Sequence, residues 1–280
     1  MEIHIALFWP CRFTLRKKLP ICRREWIRSQ IQPHDKLFTA KFHSCLNGPL
    51  MVDRWNNCLR LVDRFNRQSS LFAGNCTSGP NHKDGISPLF NYPWSAMRDM
   101  RDKEKLLISE WGYRAIRIID LKSVRAETLV QDDRLFEARE FTQLKGSGDL
   151  YIVMVNGVMR YSVRDRTLTQ ITGSLAQGST DGPLLAARLF RPNAIEFLSA
   201  EKFLLTDSYN NLLRVVDLEA NTTESLCLGG QHPVNGGFEI CQLHEPTSIL
   251  RVNETNLYYI GTRNSIRNLQ GLLYQTKSHS

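Results

Sequence analysis

The sequence predicts an all-β fold built from a repeated sheet unit. Three observations carry that prediction. One stretch is written almost twice, the apolar runs are short and end in turn residues, and the segments joining the runs rhyme with one another. The chain has 280 residues, 42% of them hydrophobic and 23% charged, which are ordinary globular values and enough for a sizeable core.

The written-twice stretch is MVDRWNNCLRLVDR at 51–64 and TDSYNNLLRVVDL at 206–218. Both read Asp, any residue, aromatic, Asn, Asn, any residue, Leu, Arg, any residue, Val, Asp. A third version, LLISEWGYRAIRIIDL at 106–121, has Glu110 where the others have Asp53 and Asp207. Two weaker versions, LYIVMVNGVMRYSV at 150–163 and LYYIGTRNSIRNL at 257–269, keep the hydrophobic skeleton.

Within each unit a four-residue apolar run (LLIS, LYIV, FLLT, LYYI) ends in a polar turn. A second run with apolar–polar alternation follows, as at Leu59–Leu61, Ile116–Ile118 and Leu213–Val215. This is a β-hairpin pattern, and Asx residues suit its connection because they accept positive φ or bond the nearby backbone. Asp53, Asn56, Asp207, Asn210 and Asn211 are therefore expected to fix turns. Arg214 and Asp217 are expected on the solvent side of the second strand of their hairpin.

The linkers repeat too. FAGNCTSGPNHKDGISPLFNYPWSAMRD at 72–99 aligns with ITGSLAQGSTDGPLLAARLFRPNAIEFLS at 171–199. Both run Gly, a polar loop, Asp-Gly, a turn ending in Phe, then Pro and a short strand. CLGGQHPVNGGFEICQLHEPTSILRV at 227–252 follows the same plan with Gly236-Gly237 for Asp-Gly. Each unit is thus about four short strands and a loop, on a period of about 50 residues.

The combined pattern, clearest in Gly74–Asp120 and Gly173–Asp217, resembles the NHL repeat of β-propellers over roughly residues 46–270. The resemblance implies four-stranded blades arranged radially, usually six to a ring. About four units and a partial fifth are visible, so the expected fold is an incomplete or degenerate propeller over 46–280. An open ring would have apolar flanks that self-association could cover. NHL-type propellers include extracellular modules, RNA-binding regions of TRIM-NHL proteins and an amidating lyase, so function must come from a site.

Residues 1–45 show no repeat and form a basic extension. Nine Lys/Arg there face Glu2, Glu25 and Asp35, a charge of +6, which leaves +2 of the total +8 for the rest. The nearly neutral body gives nucleic-acid binding little support. The octet IHIALFWP precedes its basic residues, whereas a secretory signal follows them. No run of 18 apolar residues exists, so no membrane-spanning helix is expected.

Seven cysteines at 11, 22, 45, 58, 76, 227 and 241 include no C-x-x-C pair. Cys58 and Cys76 flank one strand, and Cys227 and Cys241 bracket a Gly-rich loop, so two disulfides are candidates. Sequons at Asn75, Asn221 and Asn253 fall at turns or loop edges, where an acceptor for N-glycosylation must lie. Both features favour an extracellular or secretory-pathway protein over a cytoplasmic one.

Binding contacts are expected from the long loops, at Asn75, His82, Asp84, Gln177, Asp181 and His232. Asp-Gly pairs are also the commonest turn punctuation, and loop histidines usually carry no chemistry. Trp55, Trp94 and Trp111 stand at unit turns or first strands, where a ring could stack on a sugar or a base, or simply fill the gap between blades. No nucleophile elbow, P-loop, G-x-G-x-x-G or H-E-x-x-H occurs. No catalytic residue, metal ligand or cofactor is assigned. The leading expectation is a non-catalytic module that presents blade-end loops to a protein or glycan. The alternatives are an intracellular RNA-binding propeller, which needs Arg54, Arg114 and Arg263 on one positive surface, and a metal-dependent propeller enzyme.

Overall fold

A computed structural model describes residues 49–63, 68–77, 79–227, 243–252, 257–263 and 265–270. The chain is a β-propeller of five antiparallel sheets. Five blades are present among the described residues, in line with the four units and partial fifth visible in the sequence and one fewer than the six usual in rings of this repeat. The first blade comprises β1 (Leu50–Asp53), β2 (Cys58–Asp63) and β3 (Gln68–Gly74). The second holds β4 (Pro93–Arg98), β5 (Lys105–Glu110), β6 (Ala115–Asp120) and β7 (Ala126–Gln131). The third holds β8 (Phe141–Gln143), β9 (Leu150–Met154), β10 (Gly157–Ser162) and β11 (Thr167–Gly173).

The fourth blade runs β13 (Pro192–Phe197), β14 (Lys202–Asp207), β15 (Leu212–Asp217) and β16 (Thr222–Cys227), with the two-residue β12 (Gly182–Pro183) added outside β16. The fifth has β17 (Ser248–Arg251), β18 (Leu257–Gly261) and β19 (Ile266–Gln270).

The apolar runs seen in the sequence are β5, β9, β14 and β18. In β5, β9 and β14 burial is continuous rather than alternating because neighbouring blades cover both faces, whereas β18 of the last blade alternates half-buried and buried residues. Four clusters of buried side chains fill the gaps between consecutive blades. Leu50, Leu59, Phe90 and Ile108 join the first to the second, and Leu107, Phe141 and Ile152 the second to the third. Val153, Ile195 and Phe203 join the third to the fourth, and Leu204, Tyr258 and Ile260 the fourth to the fifth.

The same irregularity of register recurs from blade to blade. In four blades the pairing of the last two strands shifts at the same place, between Leu59 and Arg60, Ile116 and Arg117, Val158 and Met159, and Leu213 and Arg214. The extra residue lies in the outer strand each time, at Phe72, Leu129, Ile171 and Leu226, and the strand that carries the arginine keeps an unbroken register with the strand before it. Arg214 does not face solvent; it is fully buried, as is Arg117. The long loop before the blade roofs the strand face that alternation alone would have given to water. Asp217, also expected to face solvent, is half-buried.

The repeated Gly that precedes each long loop also has a steric reason. Gly74 and Gly173 hold φ of +90° and +94°, and a Cβ there would lie 2.8 Å and 2.1 Å from the Asn57 and Asn156 carbonyl oxygens. The chain can leave the outer strand this close to its neighbour only without a side chain. The long loops therefore start on the same face as the hairpin turns that carry the Asp-x-aromatic-Asn-Asn motif.

Candidate ligand-binding face

The turns of that motif are built alike in the first and fourth blades. Each opens as a short 3-10 turn, Arg54–Asn56 and Ser208–Asn210, closed by a left-handed asparagine, Asn57 (φ 55°) or Asn211 (φ 59°). The Asn56 amide donates to both Asp53 oxygens at 2.9 and 3.0 Å, and the Asn210 amide donates to Asp207 at 2.8 Å. The two left-handed asparagines then stitch neighbouring blades. Asn57 Oδ1 accepts from the Tyr92 N–H at 2.9 Å, and Asn211 Oδ1 accepts from the Glu245 N–H at 2.8 Å.

The acid of each turn also meets the arginine seven residues later. Arg60 bonds Asp53 at 2.8 Å, Arg117 bonds Glu110 at 2.6 Å, and Arg214 bonds Asp207 at 3.1 Å. Arg117 also reaches Asp84 at 2.7 Å and the Lys83 and Leu89 carbonyls, and Arg214 reaches Asp181 at 2.8 Å and the Thr180 carbonyl. Asp84 in turn accepts from the Thr128 N–H at 3.0 Å, and Asp181 from the Ser225 N–H at 3.0 Å. Both Asp-Gly loops are thereby tied across their blades to the outer strand. Burial pushes Asp207 up to about 6, against the three groups that donate to it. Asp84 stays below the usual carboxylate range; its partial burial is outweighed by Arg117 and Thr128.

The remaining sequence-derived residues are scattered around the rim. Cys58 and Cys76 are joined in a disulfide beside Asp53. Those three residues are the only close grouping of metal-ligand types among the described residues, and the bonded sulfurs are not available as thiolates. His82 is stacked on Tyr113, ring centres 3.4 Å apart, with Nδ1 3.6 Å from Glu110 and Nε2 3.3 Å from the Thr128 hydroxyl. Asn75 and Gln177 are exposed, and Asn75 Oδ1 accepts from the Thr77 N–H and hydroxyl. Asn221 is an exposed left-handed turn residue. His232, Cys241, Asn253 and the basic extension 1–45 lie outside the described residues, as does the side chain of Cys227, so the Cys227–Cys241 pairing does too.

At the centre of the same face the lead-in to each inner strand repeats a strained residue. Tyr92, Glu137, Arg191 and Glu245 hold φ of 49°, 54°, 51° and 44°, and three of them precede a proline. Proline disfavours helical backbone in the residue before it, and left-handed non-glycine residues cost about 1 kcal/mol or more each. This strain aims successive side chains at the mouth of the propeller, where four blades contribute to one cluster.

Arg54 is the hub of that cluster. Its guanidinium carbon lies 3.8 Å from the ring centre of Trp94, 4.9 Å from that of Trp55 and 5.2 Å from that of Trp111. Tyr92 stands edge-on to both Trp55 and Trp111 at 5.7 Å. Arg139 approaches the Trp94 ring at 5.2 Å, donates to Glu137 at 2.8 Å and donates to the Arg191 and Pro192 carbonyls. Arg191 completes the group, bonding both Glu137 oxygens at 3.0 and 3.2 Å and the Tyr209 hydroxyl at 3.4 Å.

Arg54 is only 7% exposed, yet no ion pair reaches it among the described residues, and its buried Nε has no acceptor. Burial, with the charge of Arg139 adding to it, brings its pKa down to about 10. Glu137 stays low because Arg139 and Arg191 outweigh its burial. The sequence pointed to the three tryptophans but not to Arg139, Arg191 or Tyr209. The signal that could have found Arg139 and Arg191 is the aligned lead-in YPW, EAR, RPN, EPT, and Tyr209 stands at the motif position that Trp55 holds in the first blade.

The surface that RNA binding would need is not assembled from the three expected arginines. Arg54 is buried among rings, Arg114 pairs with Asp133 at 2.7 Å, and Arg263 pairs with Glu245 at 2.9 Å. An open depression lined by Lys105, Ile118, Asp120, Ser123, Arg125 and Glu127 lies away from this face and gathers no convergent groups.

No family model matches the chain, and no curated protein matches it. Solved β-propellers match it in fold. A chain of a nidogen/laminin complex aligns with a TM-score of 0.58 at 11% identity, over 85% of this chain and 77% of that one. An auxiliary nutrient binding protein from Bacteroides ovatus ATCC 8483 aligns at 0.54 and 17% identity, over 81% and 67%. Virginiamycin B lyase from Staphylococcus aureus aligns at 0.52 and 14% identity, over 82% and 64%. The chain spans about two thirds of the length of the first such neighbours. At these identities the likeness is one of fold, and the neighbours include both binding proteins and enzymes.

Proposed function

We propose that the chain is a non-catalytic binding propeller that takes its ligand, a glycan or a partner protein, at the loop face centred on Arg54. One observation carries this reading. A buried arginine with no carboxylate bonded to it among the described residues sits among three tryptophans, inside a cluster drawn from four blades. A side chain that only held blades together would have its charge answered, as Arg117 and Arg214 do. The nutrient-binding neighbours and the matched chain of the nidogen/laminin complex are compatible with a binding role, and the lyase marks the competing one.

The disulfide fits an extracellular or periplasmic setting, since such bonds persist in oxidising compartments. Exposed Asn75 and Asn221 are the proposed glycan acceptors on this chain. Among the described residues no helix is long and apolar enough to cross a membrane.

The test is a glycan array and an array of secreted proteins, each probed with the full chain and with Trp55→Ala/Tyr209→Ala. Both side chains are substantially exposed, at 43% and 51%, so the fold should tolerate the change. Specific capture that the double variant loses supports the reading. Capture that it retains, or turnover of a lactone or cyclic peptide by the wild type, contradicts it.

A further inference from the structure

Asn75, Cys76 and Thr77 form a sequon whose middle residue is one half of the only disulfide among the described residues. Asn75 follows β3 directly, and Gly74 before it is paired with Cys58, the first residue of β2. Cys58 is fully buried and Cys76 half-buried, so their bond pins the centre of the sequon to the interior of the blade. Asn75 Oδ1 accepts from the N–H and the hydroxyl of Thr77 at 3.1 and 2.8 Å, which folds the three residues into a tight turn. Asn75 is exposed, but the backbone on both sides of it is held.

N-glycosylation needs more than an exposed asparagine. The transferase must take up the amide together with the hydroxyl two residues later, so the segment has to leave its neighbours. In the transfer, Asn75 Nδ2 displaces the pyrophosphate of a lipid-linked oligosaccharide. The Nδ2–C1 bond forms, the bond from C1 to the phosphate oxygen breaks, and Nδ2 gives up one proton. With Cys76 bonded to Cys58 the segment cannot lift from β2 without breaking a covalent bond. With both cysteines as thiols only hydrogen bonds at a strand end resist, and these open by local fraying.

The disulfide can close early. Its cysteines are 18 residues apart within one blade. At about 5–20 residues per second, Cys76 follows Cys58 by only about 1–4 s of synthesis. Closure passes two electrons and two protons from the thiols to a disulfide oxidant, which leaves as two thiols, and takes seconds or longer. Both reactions therefore draw on the same interval. Asn221 supplies the contrast. Its sequon, Asn221-Thr222-Thr223, contains no cysteine. Asn221 is exposed in a left-handed turn, and the Thr223 hydroxyl is buried against that of Thr172 at 2.7 Å. It too has to be modified before its blade closes, but no thiol within it governs that step.

We propose that Asn75 accepts its glycan only while Cys58 and Cys76 are thiols, so that closure of their disulfide sets what fraction of chains carries a sugar there. A glycan on exposed Asn75 leaves the two sulfurs able to pair, so the order is sugar first and disulfide second. This deepens the assignment of Asn75 as a glycan acceptor made above and rests on it.

The experiment is cell-free translation of the full chain, behind a cleavable signal peptide, into microsomes under reduced or oxidised glutathione. Occupancy of each asparagine is read by mass spectrometry of peptides from all translocated chains, so a variant that folds poorly is still counted. Wild type should show at least twofold higher occupancy of Asn75 under reducing than under oxidising conditions. Cys58→Ser, which leaves the sequon intact, and Cys58→Ser/Cys76→Ser should hold the higher occupancy in both. Thr77→Ala should lose the Asn75 glycan throughout, and Asn221 should be filled to one level in every sample. Wild-type occupancy of Asn75 that is indifferent to redox, or a Cys58→Ser variant that follows the wild type, overturns the gating and leaves Asn75 an acceptor. A rise at Asn221 in parallel with Asn75 assigns the change to slower folding and also overturns it. A bare Asn75 in the cysteine variants beside a filled Asn221 overturns Asn75 as an acceptor. Bare asparagines at both positions remove the acceptor assignment altogether.

Discussion

Arg117 and Arg54 are both buried arginines on the same side of this propeller, and they are buried in opposite ways. Arg117 has two carboxylates and two backbone carbonyls around its guanidinium. Arg54 has three aromatic rings and no ion-pair partner among the described residues. The first arrangement ties a loop to a blade. The second leaves a cation ready for something that is not part of the chain.

The third blade shows that the first arrangement is one structural solution among others. Its register places Met154 where Glu110 stands and Met159 where Arg117 stands, and both methionines are buried. An apolar pair replaces an ion pair at the same place in the sheet, as expected when burial of two charges roughly cancels their attraction. The Asp-Gly loop is what differs. The second and fourth blades have a loop acid, Asp84 or Asp181, for the arginine to hold.

The sharpest break of the comparison is to remove Arg117. Arg117→Met should cost about 3–5 kcal/mol in urea unfolding, because Glu110 would remain buried without its cation. Glu110→Met/Arg117→Met, which copies the third blade, should recover at least half of that loss. If the double variant is no better than the single one, the loop contacts rather than the charge pair dominate.

In the first blade Arg60 is only partly buried, and the Cys58–Cys76 bond lies beside the same acid. The covalent link there takes the place of a buried arginine. Cys58→Ser/Cys76→Ser should lower stability by about 3 kcal/mol, the chain-entropy value for a loop of this order. Reduction of the wild type should give the same shift in thermal midpoint as the double variant.

Asp207, the turn acid of the fourth blade's staple, and Asp84, the loop acid of the second blade's, respond to pH in opposite senses. Asp207, lifted to about 6 from 3.8, favours the folded state while it is protonated. Its contribution is complete below about pH 4 and is lost as pH rises through about 6, at most about 3 kcal/mol for a shift of this size. Asp84, held low, contributes in the opposite sense: its share is present above the ordinary carboxylate range and is lost as pH falls through its folded value. The stability of wild type relative to Asp207→Asn should therefore decline between pH 4 and pH 7. A flat difference would mean that Arg214 keeps Asp207 ionised throughout.

Much of the fold was legible because its signals are local. Asp53, Asn56 and Asn57 make their turn within five residues, and the glycines at 74 and 173 mark backbone that only glycine reaches easily. The Cys58–Cys76 bond was readable because both residues flank one strand. The burial of Arg214 was not, because it depends on a loop acid and a loop carbonyl more than thirty residues earlier. The Arg54 cluster was less legible still. Trp55, Tyr92, Trp94, Arg139, Arg191 and Tyr209 come from four blades, and no single stretch of sequence spells their meeting. Only the ring geometry brings them together, so the sequence showed tryptophans at turns without showing what they enclose.

The central claim is that Arg54 does not hold the propeller together. Its most direct test is the urea-unfolding free energy of Arg54→Met at pH 7 beside the wild type. Methionine keeps a polarisable stem against Trp94 and removes the unanswered charge. The account predicts a change of less than about 1 kcal/mol, or a gain, since a desolvated cation–π contact of at most about 2 kcal/mol is offset by the removed desolvation. A loss of about 3 kcal/mol or more, the size expected for Arg117, would show that Arg54 is a structural staple after all.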